Sequence, residues 1–385
     1  MKHVCTLLLL TTMLGSCSRY DAVRLARAAA TGNPASAAES LARDKAMGYA
    51  TNPAAIGTDL KQFNKLVADF IKAVTGAWGK DDARIPQPKQ YVKYTQNYLS
   101  RASVDFDTGV ITVETIDQKD PNQSLKNAIV TTLLTPGDPR AVDLYSAKTI
   151  KLGDTPFLMG EVKDHENKDI RWAWRAERFA DHLLQTDLKT RTVKDKTAHY
   201  VTFPMIKDHL NVRAQKYKTM VTEASTRFNV SRNLIYAIMK VESDFNPFAV
   251  SSAKAIGLMQ VVPSTAGSDV YQYLNGHQGT PSPSALMAPG TNVKYGSAYL
   301  HLLQTRYLKG IQDPVSREYC VIAGYNGGAG TVLNAFNKDK TRAVSKINSL
   351  LPDSVYDTLR SDVPYEETRR YLGKVLDAKK QFVNF

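Results

Sequence analysis

From Leu210 to Leu376 apolar side chains return every three or four positions, a period that helices can bury and strands cannot. Leu210, Ala214, Tyr217, Val221, Ala224 and Phe228 predict one long helix. Thr265 to Leu274 predicts another, and Gly276 to Pro289 is a Gly/Ser/Pro-rich loop of the length that often borders a groove. Val293, Gly296, Leu300, Leu303 and Tyr307 form a further stripe closed by Gly310. Asp313-Pro314 caps the helix that delivers Tyr325 and Asn326, and Pro364 opens a last one carrying Thr368, Tyr371, Val375 and Leu376. Residues 206–385 are therefore expected to fold as an all-helical domain.

The stretch before it follows a different rule. Phe63, Val67, Phe70, Ile71 and Val74 have helical spacing, but Val104–Phe106 and Val110–Ile116 are β-rich and flank Asp107-Thr108-Gly109, a hairpin signal. Leu125, Ala128, Ile129, Thr132 and Leu133 form a helical stripe ended by Pro136-Gly137; Ala176, Phe179, Ala180 and Leu183 form a second; His199–Phe203 alternates as a strand. The expected fold class is thus α+β: a small mixed N-terminal domain over residues 59–205 with a mostly antiparallel sheet, then the helical domain. No catalytic constellation stands out in the first part. His165, His182 and His199 are too far apart in sequence to read as a metal site.

Chemistry concentrates between Asn229 and Gly267. Ser231 is a good N-cap, with Val230 and Ile235 placed as a hydrophobic staple, and Leu234, Ala237, Ile238 and Val241 make the buried stripe. At about 100° per residue, Glu242 falls at the margin of that stripe, just before Asn246-Pro247 disfavours further helix. A carboxyl held against apolar neighbours keeps its proton to higher pH, which suits a general acid. The same position also suits a solvated rim glutamate paired with Lys240 or Lys254.

The order of motifs separates these readings. Glu242-Ser243-x-Phe245-x-Pro247 is followed by Gly257-Leu258-Met259-Gln260, then Ala323-Gly324-Tyr325-Asn326-Gly327-Gly328, then Glu367-Thr368-x-x-Tyr371. Four ordered motifs over about 130 residues resemble the lytic transglycosylase family with a goose-lysozyme-like catalytic domain, and the likeness reaches upstream to about Asp59. The resemblance implies a lysozyme-like helical fold and cleavage of the β-1,4 bond between N-acetylmuramic acid and N-acetylglucosamine in peptidoglycan. It also implies that no water is consumed: the sugar's 2-acetamido group meets the cation, its 6-hydroxyl closes the ring, and 1,6-anhydro-N-acetylmuramic acid remains. Glu242 would serve as acid and then base, with a pKa of roughly 6.

By the same matching Tyr325 is expected to donate a hydrogen bond to Glu242, and Ser251 to contact the acetamido group or the carboxylate. Gln260 and Asn326 offer amides suited to sugar hydroxyls, or they satisfy loop backbone. Met259 floors the groove or is simply core, and Tyr371 reaches the site or packs. Gly324 departs from the family pattern, which usually has alanine there, and would loosen that helix end by up to about 1 kcal/mol. The resemblance calls for no cofactor and no metal. Peptidoglycan glycan strands are the implied partner.

The N-terminus reads as an address. Lys2 and His3 precede an apolar run from Val4 to Leu14, too short to span a bilayer as a helix. It ends Leu14-Gly15-Ser16-Cys17, which resembles a bacterial lipobox, so residues 1–16 are expected to be a signal peptide and Cys17 a lipidated first mature residue. Ser18 after it resembles the class sorted to the outer membrane, on whose periplasmic face the protein is expected. Residues 17–58, Ala-rich, are expected to be a tether with some helix. With Cys5 leaving in the signal, only Cys320 remains of the 3 cysteines, a small buried hydrophobe in a helical pattern. The formal net charge of +13 is spread along the chain with no basic recognition helix, which argues against nucleic acid and for an anionic wall or headgroups. Two other functions stay open on residues alone: a hydrolytic lysozyme acting on the same bond, and a non-catalytic wall-binding lipoprotein.

Overall fold

The computed structural model describes residues 53–251 and 254–385, with side chains from residue 65 onward. The signal peptide, Cys5, Cys17, Ser18 and the tether up to residue 52 lie outside the described residues. Thr58–Phe385 forms one compact unit.

Its first half is three-layered. Five antiparallel strands, β1 (Gln90–Thr95), β2 (Ser100–Asp105), β3 (Val110–Thr115), β4 (Lys189–Val193) and β5 (Lys196–Pro204), pair in the order β1-β2-β3-β5-β4. Alternation along the strands sends Tyr91, Val104, Ile111, Val113 and Val201 to one face and Val92, Tyr94 and Ala198 to the other. Helices α2 (Pro121–Leu133) and α3 (Ala173–Thr186) cover the first face through Leu125, Ile129, Phe179 and Leu183. Helix α1 (Pro53–Trp78) covers the second through Phe70, Val74 and Trp78. It starts inside the stretch assigned to the tether and runs through Gly76, stopping only at Gly79. Strands β1 and β4 carry no clear sequence signal: Lys93 is buried by donating to the carbonyls of Asp143 and Ser146, 2.7 Å each.

The second half is helical, as the apolar period requires. The stripe from Leu210 to Phe228 is not one helix but two, α4 (His209–Gln215) and α5 (Lys218–Phe228). At the break, the Lys216 ammonium meets Glu161 at 2.6 Å and the Phe157 carbonyl. Helix α6 (Arg232–Ser243) lies at the centre, with Leu234 to Met239 all buried. Ser231 occupies its N-cap position without a side-chain cap bond. A π-turn (Pro263–Gly267) leads into α7 (Ser268–Asn275); α8 (Pro283–Met287) lies within the predicted loop; α9 (Pro289–Leu302) and α10 (Pro314–Gly327) follow. Three helices outside the predicted set, α11 (Ala329–Phe336), α12 (Lys340–Asn348) and α13 (Pro352–Ser361), precede α14 (Glu366–Gln381), which lies along α6.

The halves share a core. Phe248, five residues beyond the end of α6, packs its ring on Tyr91 at 5.0 Å and Phe157 at 5.2 Å in the sheet's own cluster. Arg213, fully buried, links Glu161 (2.7 Å), the Phe106 carbonyl (3.3 Å) and the Asp244 carbonyl (2.7 Å).

Candidate active site

Helix α6 stops because Asp244 and Phe245 both take left-handed backbone, φ 49° and 60°. Neither is glycine, so the turn costs about 1 kcal/mol or more per residue and must be held from outside. The carboxylate of Asp244, fully buried, pairs with Lys240 at 2.7 Å and Lys89 at 2.6 Å. Tyr217 Oη donates to the Phe245 carbonyl at 3.4 Å, and Asn246 Nδ2 to the Pro88 carbonyl at 2.9 Å. The last turn of α6, with Glu242 on it, is therefore fixed.

Glu242 is half-buried, and among the described residues it forms no ion pair. Tyr371 Oη, from α14, donates to its Oε1 at 2.6 Å. Burial dominates its acidity and lifts the pKa from 4.5 to about 7; the Tyr371 hydrogen bond lowers it, the like charge of Glu367 raises it, and the ammonium of Lys89 lowers it. This exceeds the roughly 6 expected from sequence. Tyr371, buried and facing that carboxyl, has its own pKa driven well above 10, so it remains a donor throughout the neutral range.

The hydrogen bond expected from Tyr325 is made by Tyr371 instead. Tyr325 Oη donates to the Met259 carbonyl at 2.8 Å, and its ring meets Tyr299 at 5.6 Å. Burial first, and then the charge of Glu242, push its pKa well above 10, so it faces the same centre without bonding the carboxyl. Helix α10 continues unbroken through Gly324, where a Cβ would make only ordinary contacts, so the packing there would also accept alanine. Gly327 is different: a Cβ there would lie 2.8 Å from Thr368 Oγ1, and glycine lets α10 and α14 meet.

The Gly257-Leu258-Met259-Gln260 turn is clamped on every side. Asn292, fully buried on α9, accepts from Met259 N at 2.8 Å and donates to the carbonyls of Ile256 and Leu286 at 2.7 and 2.8 Å. Ser243 Oγ donates to the Leu258 carbonyl at 2.7 Å. Gly257 has φ +74°, and a Cβ would lie 2.4 Å from Asn292 Nδ2, so only glycine fits. Met259 is fully buried and meets the site through its backbone, as core rather than as a groove floor.

The remaining predicted contacts spend part of their bonding locally. Gln260 donates to the carbonyls of Gly257 (2.9 Å) and Ala249 (3.3 Å). Ser251 Oγ accepts from Ala255 N at 3.0 Å. Asn326 Oδ1 accepts from Thr368 Oγ1 at 2.6 Å, and its amide reaches Glu367 at 3.4 Å. Each is half-buried. Asp269 is taken by Tyr307, whose hydroxyl donates to it at 2.9 Å.

Sequence reasoning missed Ser243, Asn292, Lys89 and Glu367 around this centre. Ser243 and Glu367 were visible inside the motifs. Asn292 and Lys89 gave no local signal, since the partners that bring them to this centre, Met259 and Asp244, lie 33 and about 150 residues away. Elsewhere His165 and His182, judged too distant in sequence, stack at 4.3 Å between ring centroids. Among the described residues no three His, Cys, Asp or Glu side chains gather as a metal site. Cys320 is fully buried, and burial pushes its thiol up to about 12.

Two family models match the chain: the N-terminal domain of membrane-bound lytic murein transglycosylase C over residues 56–216, and the transglycosylase SLT domain over residues 219–348. The chain is 47% identical over 329 residues to a membrane-bound lytic murein transglycosylase C of Serratia proteamaculans (strain 568), covering 85% of this chain and 92% of that one. It is likewise 47% identical over 325 residues to one of Klebsiella pneumoniae, covering 84% and 90%. Among solved structures, an inactive mutant of lytic transglycosylase Slt from Pseudomonas aeruginosa matches with TM-score 0.36 and 25% identity over 46% of this chain and 26% of that chain. The 70 kDa soluble lytic transglycosylase of Escherichia coli matches with TM-score 0.35 and 24% identity over the same shares.

Proposed function

This chain belongs to the membrane-bound lytic murein transglycosylase C family, and from that premise we propose how its centre cleaves peptidoglycan. The enzyme is a lytic transglycosylase acting on murein. Glu242, in the protonated form that its raised pKa keeps populated at neutral pH, donates to the glycosidic oxygen between N-acetylmuramic acid and N-acetylglucosamine. As a carboxylate it then takes the proton of that muramyl residue's 6-hydroxyl, which attacks the anomeric carbon and leaves a 1,6-anhydro end. Proton out and proton back balance, and no water enters. The observation that carries this reading is a half-buried carboxyl that takes a tyrosine hydroxyl at 2.6 Å and makes no ion pair among the described residues, so that burial lifts its pKa to about 7. Tyr371 steadies the carboxylate between the two steps. Tyr325, anchored on the Met259 carbonyl, lines the same centre, and Ser251, Gln260 and Asn326 are the proposed contacts for sugar hydroxyl and N-acetyl groups.

A hydrolytic route has one observation in its favour: the exposed carboxylate of Glu367 acts on Glu242, and a second acid can activate water. Digestion of purified sacculi by a soluble form lacking Cys17, with product ends identified by mass, separates the two. The lytic route gives ends one water lighter than reducing ends. Glu242→Gln is expected to lose about 10³-fold or more of the activity; a variant as active as the parent would remove the reading.

The division of labour follows the same proposal. Residues 1–16 act as a signal, 17–58 as a tether, 59–205 as the module that positions the wall or the catalytic half, and 206–385 as the catalytic domain. Membrane attachment is shared with the membrane-bound relatives. We place it at a diacylglycerol on Cys17 at the periplasmic face of the outer membrane, on the strength of the lipobox-like Leu14-Gly15-Ser16-Cys17. No helix among the described residues is long and apolar enough to cross a membrane. Labelled palmitate that is incorporated by the parent and equally by Cys17→Ala would refute the anchor.

A further inference from the structure

Asp244 binds more positive charge than it needs. One ammonium, Lys240 on α6 itself, is enough to neutralise this buried carboxylate, and it holds Oδ1 at 2.7 Å. A second, Lys89, comes from the sheet half just ahead of β1 and meets Oδ2 at 2.6 Å. The three groups together carry one net positive charge, two residues along the chain from Glu242. The backbone around them is joined in the same way. Asn246 Nδ2 donates to the carbonyl of Pro88, the neighbour of Lys89, and Phe248 is seated in the sheet's core. Lys89 is thus not a loose surface cation but the end of a cross-link between the halves.

We propose that Lys89 is a positioning residue for the reaction: through Asp244 it fixes the end of α6 that carries Glu242, and it supplies the surplus positive charge that steadies Glu242 after its proton has left. It touches no reacting atom in this role. The groups acting on the carboxyl are Glu367 and Tyr371 from α14 and Lys89 from the sheet half, with Tyr325 from α10 facing it; Lys240 on α6 and Arg213 and His209 on α4 stand around Asp244. Among these Glu367 favours the protonated form and Lys89 the ionised one, in the same direction as the Tyr371 hydrogen bond. The sheet half thereby enters the chemistry through charge as well as through packing.

The proposal rests on Glu242 as acid and base, and the test keeps the two apart. The alkaline limb of kcat/KM on soluble murein fragments is measured for the parent, Lys89→Met, Lys89→Gln and Lys89→Arg, beside a ¹³C NMR titration of the Glu242 carboxyl. Gln retains an N–H for Asp244 without the charge, so it separates charge from contact and gives a folded variant should Met destabilise the turn. In Met and Gln the limb and the NMR titration should move upward together by about half to one pH unit, and Arg should restore both. Loss of activity at every pH with an unmoved limb, a downward movement, or no change at all overturns the proposal. An active Glu242→Gln would instead sink the reading beneath it, and an inactive one with an unmoved Lys89→Gln limb sinks this inference alone.

Discussion

The sheet half and the helical half both bury carboxylates, but they treat them differently. In the sheet half Glu114 is held by Arg101 at 2.7 Å and Arg191 at 2.9 Å, and Glu161 by Arg213 at 2.7 Å and Lys216 at 2.6 Å. Each is nearly inaccessible and doubly paired. Glu242 in the helical half has a tyrosine hydroxyl where those have guanidinium and ammonium groups. A buried carboxylate ringed by cations is bound into the structure, whereas one without them holds its proton to higher pH and can give it away. The comparison also shows why Asp244, so close in sequence to Glu242, is not its catalytic partner: with Lys89 and Lys240 on it, it belongs to the first kind.

Breaking the paired kind should cost most. Arg213→Met leaves Glu161 short of a partner and the Asp244 carbonyl without its donor, and it is expected to destabilise the fold by about 3–5 kcal/mol in urea titrations. A loss under 1 kcal/mol would mean that the sheet half tolerates unpaired charge after all. Asn292→Ala leaves Met259 N without its acceptor and takes a donor from the carbonyls of Ile256 and Leu286, at a cost of about 3 kcal/mol, with activity falling as the turn under Tyr325 relaxes. Unchanged stability there would show the turn holding itself.

The unpaired kind should behave in the opposite sense. The folded state lifts Glu242 to about 7 from 4.5, so it binds that proton more tightly than the unfolded chain does. The resulting stability is full below pH about 4.5 and is lost as the pH rises through about 7. Glu242→Gln has no such loss, so it should be more stable than the parent at pH 8, by about 2 kcal/mol with about 3 as a ceiling, and the advantage should vanish by pH 4. A variant destabilised at both pH values would place Glu242 with Glu161 and Glu114. Tyr371→Phe has the smallest expected effect, about a tenfold loss in kcat/KM with the alkaline limb moved upward, because the lost hydrogen bond favoured the ionised form. A limb that moves down would contradict that assignment.

Much of this was legible beforehand. The hairpin at Asp107-Thr108-Gly109, the stripes of α2 and α3, the Asp313 cap, whose side chain accepts from Ser316 N at 2.7 Å, and the buried face of α6 all follow from local period and turn chemistry. Glu242 was legible because its place on a helix face depends only on the helix. Which tyrosine bonds it was not. Tyr325 and Tyr371 lie on different helices, and the 2.6 Å contact depends on how α14 settles along α6, a matter of packing across 129 residues of chain. The break at Lys216 is of the same kind: the apolar period continues through it, and the partner its ammonium finds there, Glu161, comes from the other half.

By itself the sequence determined where helices and strands form, which side chains face inward and which carboxyl lies at the edge of an apolar stripe, because each depends on neighbours a few residues away. The tertiary structure decided what that carboxyl would be: buried enough to hold its proton near pH 7, bonded by Tyr371 and backed by the charge of Lys89. Acidity is set by every charge and dipole within several ångströms, and residues that close in space were drawn here from opposite ends of the chain.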